Sequence, residues 1–246
     1  MKLLREILYK VEINSVVGNT SLSINKIEFD SRLISDGDMY IAITGVNVDG
    51  HSFISQAIQN GANCIVCEKT PENKTDGIVY VNVKSSRKAL AIISSNYFDN
   101  PSSKLNLIGV TGTNGKTTIA TLLFDLYTEL EIKSGLISTV KISYDNKNFQ
   151  ANQTTPDSLS INRFLSEMVN SNVRYCFMEV SSHGIDQNRT DGLVFKGGIF
   201  TNLTHDHLDY HESFENYRDI KKQFFDSLCN NSFALTNNDD KNGMVM

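Results

Sequence analysis

The chain has 246 residues, a formal net charge of -5 and 40% apolar residues, which allows a packed core in one large or two ordinary domains and argues against disorder. It contains no basic cluster of the kind that binds nucleic acid and no apolar run long enough to span a membrane. Its charged first residues do not resemble a signal peptide, so we expect a cytoplasmic protein without a nucleic-acid or membrane partner.

Residues 1–103 are predicted to form a small α/β domain. Their hydrophobic patterns predict helices at 3–8, 53–60 and 86–98, and strands at 24–29, 39–43, 64–67 and 78–83. The third of these strands carries Cys64 and Cys67, whose side chains would face opposite ways, so we predict that the cysteines are buried free thiols. The polar segment 99–103 predicts the domain boundary.

From residue 104 onward, predicted strands and helices alternate, which favours a mostly parallel sheet covered by helices. The strands are predicted at 105–110, 135–139, 175–179, 198–202 and 233–236, and the helices at 119–130, 159–169 and 214–228. We therefore predict an α/β protein with a small N-terminal domain and a P-loop sheet domain that is incomplete at residue 246.

A candidate phosphate-binding loop lies between the first strand and the first helix of this second domain. Glycines there let the backbone approach an anion, the helix start adds a positive dipole, a lysine can reach the outer phosphates and a threonine can ligate Mg²⁺. Val110 stands where the standard pattern has glycine, and a glycine-rich turn with a surface lysine is the alternative interpretation. The predicted nucleotide-binding residues are Gly112, Thr113, Asn114, Gly115, Lys116, Thr117 and Thr118.

Two further features indicate metal chemistry. Glu179 ends a predicted central strand, where ligands bind in such sheets and where Mg²⁺ needs an oxygen ligand, although a solvated strand end is the alternative. His207 lies in a histidine-rich segment that follows another buried strand and could bind a metal or a phosphate. A polar loop with scattered histidines is the alternative for this segment.

Lys221 lies within an apolar stripe of the last predicted helix, whereas Lys222 faces the polar side. A lysine on a buried face is unfavourable unless it is paired or modified. A neutral amine there could react with carbon dioxide to form a carbamate, which could ligate a second Mg²⁺. The alternative is a lysine that snorkels to the edge of the stripe.

In their order and spacing, these motifs resemble those of the Mur ligase family, and within it the UDP-N-acetylmuramoyl-tripeptide synthetases of MurE type. The resemblance covers essentially the whole chain. The segments that carry it are 30–32, 49–51, 109–118, 154–159, 178–184, 201–203, 206–211 and 217–225. The segments at 154–156 and 206–211 are the most specific to the MurE type.

The resemblance implies the following site residues. Ser31 and the loop Val46, Asn47 and Val48 would hold the uridine diphosphate, and Gln153, Thr154, Thr155, Ser181, Gln187 and Arg189 would line the muramoyl-peptide site. The family usually has asparagine at the position of Gln153. Thr117 and Glu179 would hold one Mg²⁺, and Glu179, His207 and carbamylated Lys221 the other. Lys116, His207 and Lys221 would be catalytic.

The implied reaction is ATP-dependent addition of a diamino acid, meso-diaminopimelate or L-lysine, to UDP-MurNAc-L-Ala-D-Glu in peptidoglycan precursor synthesis, by a monomer. Residues 1–103 would bind UDP-MurNAc, and residues 104–246 would bind ATP. The family's C-terminal domain, which binds the amino acid, has no counterpart in these residues, so we expect little activity from them alone. The alternatives are a UDP-MurNAc-pentapeptide or folylpolyglutamate synthetase, or a non-catalytic ATP-binding module.

Overall fold

The computed structural model describes residues 1–45, 48–204, 208–211 and 213–246, without the side chains of Leu208 and Asp209. The chain divides into two compact units, Met1–Asp99 and Asn100–Met246. No helix within the described ranges is both long enough and apolar enough to cross a membrane. The roles that the sequence assigns to the two parts of the chain remain predictions.

The first unit is built on a five-stranded sheet in the order β2-β7-β6-β5-β4, in which only β2 is antiparallel to its neighbour. Helix α2 packs on this sheet through Ile54 and Ala57, which join the core cluster that contains Tyr40, Ile65 and Tyr80. The elements are β1 (Lys2–Leu3), α1 (Leu4–Ile7), β2 (Ile13–Val17), β3 (Ser23–Ile24), β4 (Ile27–Glu28), β5 (Asp38–Ile41), α2 (Ile54–Gln59), β6 (Ala62–Cys67), β7 (Val79–Val83) and α3 (Ser86–Tyr97).

The second unit contains a seven-stranded sheet in the order β11-β10-β9-β12-β8-β13-β14. Strands β9, β12, β8, β13 and β14 are parallel to one another, and β10 and β11 form an antiparallel hairpin at the other edge of the sheet, next to β9. The elements are β8 (Asn106–Thr111), α4 (Lys116–Glu129), β9 (Ser134–Ile137), β10 (Lys141–Tyr144), β11 (Lys147–Gln150), α5 (Ser158–Asn170), β12 (Tyr175–Glu179), α6 (Ser182–Asp186), β13 (Gly197–Phe200), α7 (Leu208–His211), α8 (Phe214–Asp226) and β14 (Phe233–Thr236).

Helices cover the two faces of this sheet unequally. On one face, residues of α5, α6 and α8 pack against strand residues such as Leu107 and Met178. On the other face, Ile108, Val110 and Phe177 pack against α4. This alternation along β8 and β12 follows from the two-residue period of a strand. Strand β8 therefore lies in the middle of the sheet with helices on both sides, and its carboxyl end carries the candidate loop.

The predicted α/β class with parallel-rich sheets is confirmed, and several element boundaries differ from the predictions. The predicted strand at 24–29 is divided into β3 and β4, which belong to different sheets. Strand β2, the β10–β11 hairpin and helices α6 and α7 were not predicted. The prediction that Cys64 and Cys67 are buried free thiols is confirmed, and burial raises the pKa of both. Cys176 is also buried, whereas Cys229 is exposed.

The central strand depends on the absence of a side chain at Gly109. A Cβ atom at this position would overlap the ring of Phe224, which packs edge to face against Phe195 with a centroid distance of 4.9 Å. At Gly135, in β9, a Cβ atom would instead meet Sδ of Met168 at 2.6 Å, the end of a flexible side chain.

We expect Gly109→Ala to lower the free energy of unfolding by about 1–3 kcal/mol, because two packed aromatic rings cannot move aside. Gly135→Ala is the matched control and should cost less than about 1 kcal/mol, because Met168 can change rotamer. Urea unfolding of the two variants and the parent chain measures both values. Equal losses in the two variants would show that the aromatic contact is not what restricts Gly109.

Candidate functional site

The loop between β8 and α4 has the backbone shape that the sequence predicts. Gly112 and Gly115 have φ angles of +145° and +84°, a region that favours glycine. A Cβ atom at Gly112 would collide with Oγ1 of Thr201 and lie 2.9 Å from the carbonyl oxygen of Asn202. Helix α4 begins at Lys116, and the N–H groups of a first helical turn have no acceptor within the helix. A helix start of this kind is a common position for binding an anion.

The segment after β13 holds this loop in place. The N–H group of Thr113 donates to the Asn202 carbonyl oxygen at 2.8 Å, and the Asn114 N–H group donates to Oδ1 of Asn202 at 3.0 Å. Oγ1 of Thr201 donates to the carbonyl oxygen of Asn114 at 2.7 Å. Two of the loop amides are thus used for support, a role of Thr201 and Asn202 that was not predicted from the sequence.

Two lysine side chains converge on one backbone oxygen of the loop. Nζ of Lys116 donates to the carbonyl oxygens of Gly112 at 2.9 Å and Thr113 at 2.8 Å. Nζ of Lys221 also donates to the Gly112 oxygen at 2.9 Å and lies 4.6 Å from the ring centroid of Tyr217. The side chain of Lys221 is 1% exposed, so the predicted position on the buried face of α8 is confirmed.

Glu179 is the last residue of β12, and it pairs with Val110 of the neighbouring strand β8. Its side chain is fully buried. It lies on the same face of the sheet as Phe177, which packs against α4. Oε1 accepts from the N–H group of Thr139 at 2.7 Å, and Oε2 accepts from Oγ1 of Thr139 at 3.1 Å. This carboxylate therefore has a defined orientation at the carboxyl edge of the sheet.

Hydrogen bonds connect most of the residues that were predicted to line the muramoyl-peptide site. Oγ1 of Thr155 lies 2.9 Å from the carbonyl oxygen of Glu179 and 3.0 Å from Oγ of Ser181, which caps α6. The guanidinium group of Arg189 donates to Oε1 of Gln153 at 2.6 Å and Oε1 of Gln187 at 2.7 Å. These five residues form one polar patch.

Thr154, the sixth predicted residue, contacts a different neighbour. Its Oγ1 lies 3.1 Å from Oγ1 of Thr139, the residue that binds Glu179. Thr139 was not identified from the sequence, because a threonine after a strand carries no recognisable signal by itself. Only its place beside a strand-end glutamate could have pointed to it.

The predicted uridine site lies in the first unit. Ser31 is 5% exposed, and its Oγ donates to Oε1 of Gln56 at 2.9 Å, so this hydroxyl already has an acceptor. Val48 is exposed, whereas Val46 and Asn47 lie outside the described residues. Nδ1 of His51 lies 2.7 Å from Oδ1 of Asp49, and hydrogen bonds from the His51 backbone and ring lower the pKa of that carboxyl.

The described residues test the predicted metal sites only in part. Within them, no group of three or more histidine, cysteine, aspartate or glutamate side chains lies close enough to bind a metal. His207 lies outside the described residues, and Thr117 and Lys221 are of other residue types, so the two predicted ligand sets remain predictions. Thr117 and Thr118 lie in the first turn of α4, at the loop.

A family model of the Mur ligase middle domain matches residues 110–246, and one of the catalytic domain of the Mur ligase family matches residues 23–98. The UDP-N-acetylmuramoyl-L-alanyl-D-glutamate–2,6-diaminopimelate ligase of Cytophaga hutchinsonii is 52% identical, over 99% of this chain and 50% of that protein. The enzyme of the same name from Bacteroides thetaiotaomicron is 49% identical, over 99% and 51%.

A solved structure of a ligase with this name matches the fold with a TM-score of 0.81 and 25% identity, over 100% of this chain and 49% of that one. The chain thus spans about half the length of the relatives it matches. The middle-domain match covers more than half of the chain, and the high identity extends through both units. These matches confirm the resemblance found in the sequence: the chain belongs to the Mur ligase family.

Proposed function

We propose that this chain provides the UDP-sugar-binding and ATP-binding parts of a ligase that adds 2,6-diaminopimelate to UDP-MurNAc-L-Ala-D-Glu. The observation that carries the proposal is the convergence of Lys116 and Lys221 on the Gly112 oxygen, with Glu179 at the end of the adjacent strand. This arrangement combines an anion-binding loop with a fixed carboxylate, which phosphoryl transfer to a carboxylate requires. The diamino acid is taken from the names of the relatives.

The proposed reaction has two steps. A carboxylate oxygen of the D-glutamate residue attacks the γ-phosphorus of ATP, the bond to the bridging oxygen breaks, and ADP leaves with that electron pair. The amine of diaminopimelate then attacks the acyl phosphate, loses a proton and displaces inorganic phosphate to form the amide. In the first step two anions must approach each other, so charge compensation at the phosphates dominates the barrier.

The loop residues would carry this compensation. The first turn of α4 would donate N–H groups to the phosphates, and Lys116 would turn from its own loop carbonyls to the outer phosphates. Arg189 and Thr155 belong to the polar patch that would orient the muramoyl peptide. The two sites would hold the D-glutamate carboxylate and the γ-phosphate of ATP next to each other. The reaction then takes place between two bound groups and no longer depends on their meeting in solution.

The residues present also fit bound Mg²⁺. A carboxylate has about four acceptor positions, and Thr139 uses two of those on Glu179, which leaves positions for a cation. When bound, Mg²⁺ would neutralise phosphate charge during transfer. Thr117 and Glu179 would hold one ion, and Glu179, His207 and a carbamylated Lys221 the second. A protonated lysine cannot serve as a ligand, because an ammonium group has no lone pair.

The surroundings of Lys221 favour such a modification. Its amine is buried, and it shares the Gly112 carbonyl oxygen as acceptor with Lys116. Each Nζ atom lies 2.9 Å from that oxygen, so the two amines are close neighbours. The neutral amine is the form that reacts with carbon dioxide. The nitrogen would bond to the carbon of carbon dioxide and release one proton, which gives a carbamate and reverses the sign of the charge beside Lys116.

The function is tested in a chimera that joins residues 1–246 to the remaining half of the Cytophaga hutchinsonii relative. We expect it to form the diaminopimelate amide with ATP, and Glu179→Gln to lower kcat by about 100-fold or more through loss of the carboxylate charge. Lys222→Ala is the control, because this half-buried lysine pairs with Asp226 on the polar side of α8, with Nζ 2.5 Å from Oδ1. A folded chimera that binds ATP but forms no amide would overturn the proposed function.

The carbamate is tested by ¹³C NMR of the chain in ¹³C-labelled bicarbonate. We expect one carbamate signal that is present in the parent chain and in Lys222→Ala but absent from Lys221→Ala. A carbamate on the N-terminal amine would give a signal in all three. If the folded parent chain and Lys221→Ala give the same carbamate signals, or the parent chain gives none, Lys221 acts as an unmodified lysine.

A further inference from the structure

The carboxylate of Glu179 receives both of its described hydrogen bonds from a single residue, Thr139. The backbone N–H group donates to one carboxylate oxygen and the hydroxyl group to the other, so the plane of the carboxylate is fixed at two points. Thr139 lies in the turn between β9 and β10, where Oγ of Ser138 donates to the Lys141 carbonyl oxygen at 2.8 Å. The turn that carries the two donors is therefore itself held by a hydrogen bond.

The same hydroxyl group also connects Glu179 to Thr154. The Oγ1 atoms of Thr139 and Thr154 are 3.1 Å apart. A hydroxyl group has one proton, and an ionised carboxylate can only accept. Oγ1 of Thr139 is the donor in both contacts, to Oε2 of Glu179 and to Oγ1 of Thr154. Glu179 and Thr154 therefore compete as acceptors for the single proton of the Thr139 hydroxyl group.

We propose that Thr139 is a positioning residue that orients Glu179 for Mg²⁺ and couples this orientation to Thr154, the residue predicted to contact the muramoyl peptide. This inference rests on the proposed function and adds a residue to it. A ligand that donates a hydrogen bond to Oγ1 of Thr154 replaces Thr139 as the donor and leaves the proton of Thr139 to Glu179. Occupancy of the peptide site is thereby transmitted to the carboxylate through one shared oxygen.

The removal of one hydroxyl group tests the orienting role. Thr139→Val keeps the shape and the backbone N–H donor but loses the hydroxyl donor. The readout is the ratio of the affinity for ADP in excess Mg²⁺ to the affinity in EDTA, measured by calorimetry on the 246-residue chain. We expect this ratio to fall about tenfold, the lower end of the effect of losing a residue that orients a metal ligand, because the backbone donor remains.

Two controls separate orientation from folding. Thr139→Ser retains a hydroxyl group and should keep the parent ratio. Thr128→Val removes a threonine hydroxyl that donates to the Phe124 carbonyl oxygen at 2.8 Å near the end of α4, and it should change nothing. The affinity in EDTA should be the same in all variants, because the loop donors are untouched.

The coupling is tested by a double-mutant cycle. We expect Thr154→Val to raise the Mg²⁺-dependent ratio by a few fold in the parent chain, because it removes the acceptor that competes with Glu179 for the Thr139 proton. It should have no effect in Thr139→Val, since contacting residues give non-additive effects. Equal effects in both backgrounds would remove Thr154 from the proposal and leave Thr139 as an orienting residue only.

The outcomes distinguish this inference from the proposed function. If Mg²⁺ leaves the affinity for ADP unchanged in both the parent chain and Glu179→Gln, so that the ratio is close to one, the metal part of the proposed function fails. If the ratio falls to about one in Glu179→Gln but stays at the parent value in Thr139→Val, Thr139 has no positioning role. Should Thr139→Val not fold, Thr139→Ala and Thr139→Ser become the pair, and equal ratios in these two would overturn the inference.

Discussion

The carbonyl oxygen of Gly112 is the atom on which the second unit depends. It accepts from Lys116, at the start of the helix on one face of the sheet, and from Lys221, on the helix that covers the other face. A buried lysine would be strongly destabilising without such a partner. The loop is therefore held from both sides, and α8 is tied to it by a residue that lies within its apolar face.

This geometry relies on positions where a side chain cannot be accommodated. The φ angle of Gly112 and its contact with Asn202 exclude larger residues, and Gly109 lets Phe224 approach the central strand closely. With α8 seated at this distance from β8, Nζ of Lys221 reaches the loop. The apolar packing below the loop and the polar contact at its edge thus support each other.

Much of this could be predicted because the relevant signals are local. A buried strand, a glycine turn and a helix follow one another along the chain, and the spacing of Tyr217 and Phe224 places Lys221 on the buried side. The hydrophobic stripe predicts which side of α8 is buried, but not the acceptor that the lysine meets. That acceptor comes from a segment 109 residues away in the chain.

The missed elements have physical reasons of their own. Strand β11 is exposed along its whole length and β2 along most of it, and both lie at sheet edges, so neither has an apolar pattern to recognise. The β10–β11 turn uses Asp145 and Asn146 with φ angles of 48° and 60°, a left-handed pair without the usual glycine. Helix α6 has five residues, too few for a periodic signal.

The partner of Lys221 would also allow one arrangement to hold the residue both before and after the proposed modification. A lysine carbamate keeps one hydrogen on Nζ, so the bond from this nitrogen to the Gly112 oxygen can persist after carbon dioxide adds. What changes is the charge beside Lys116, from a second cation to an anion that attracts it. Modification would then convert a repulsive neighbour into a metal ligand without moving α8. The buried position of Lys221, which is costly for an ordinary lysine, is the position that such chemistry requires.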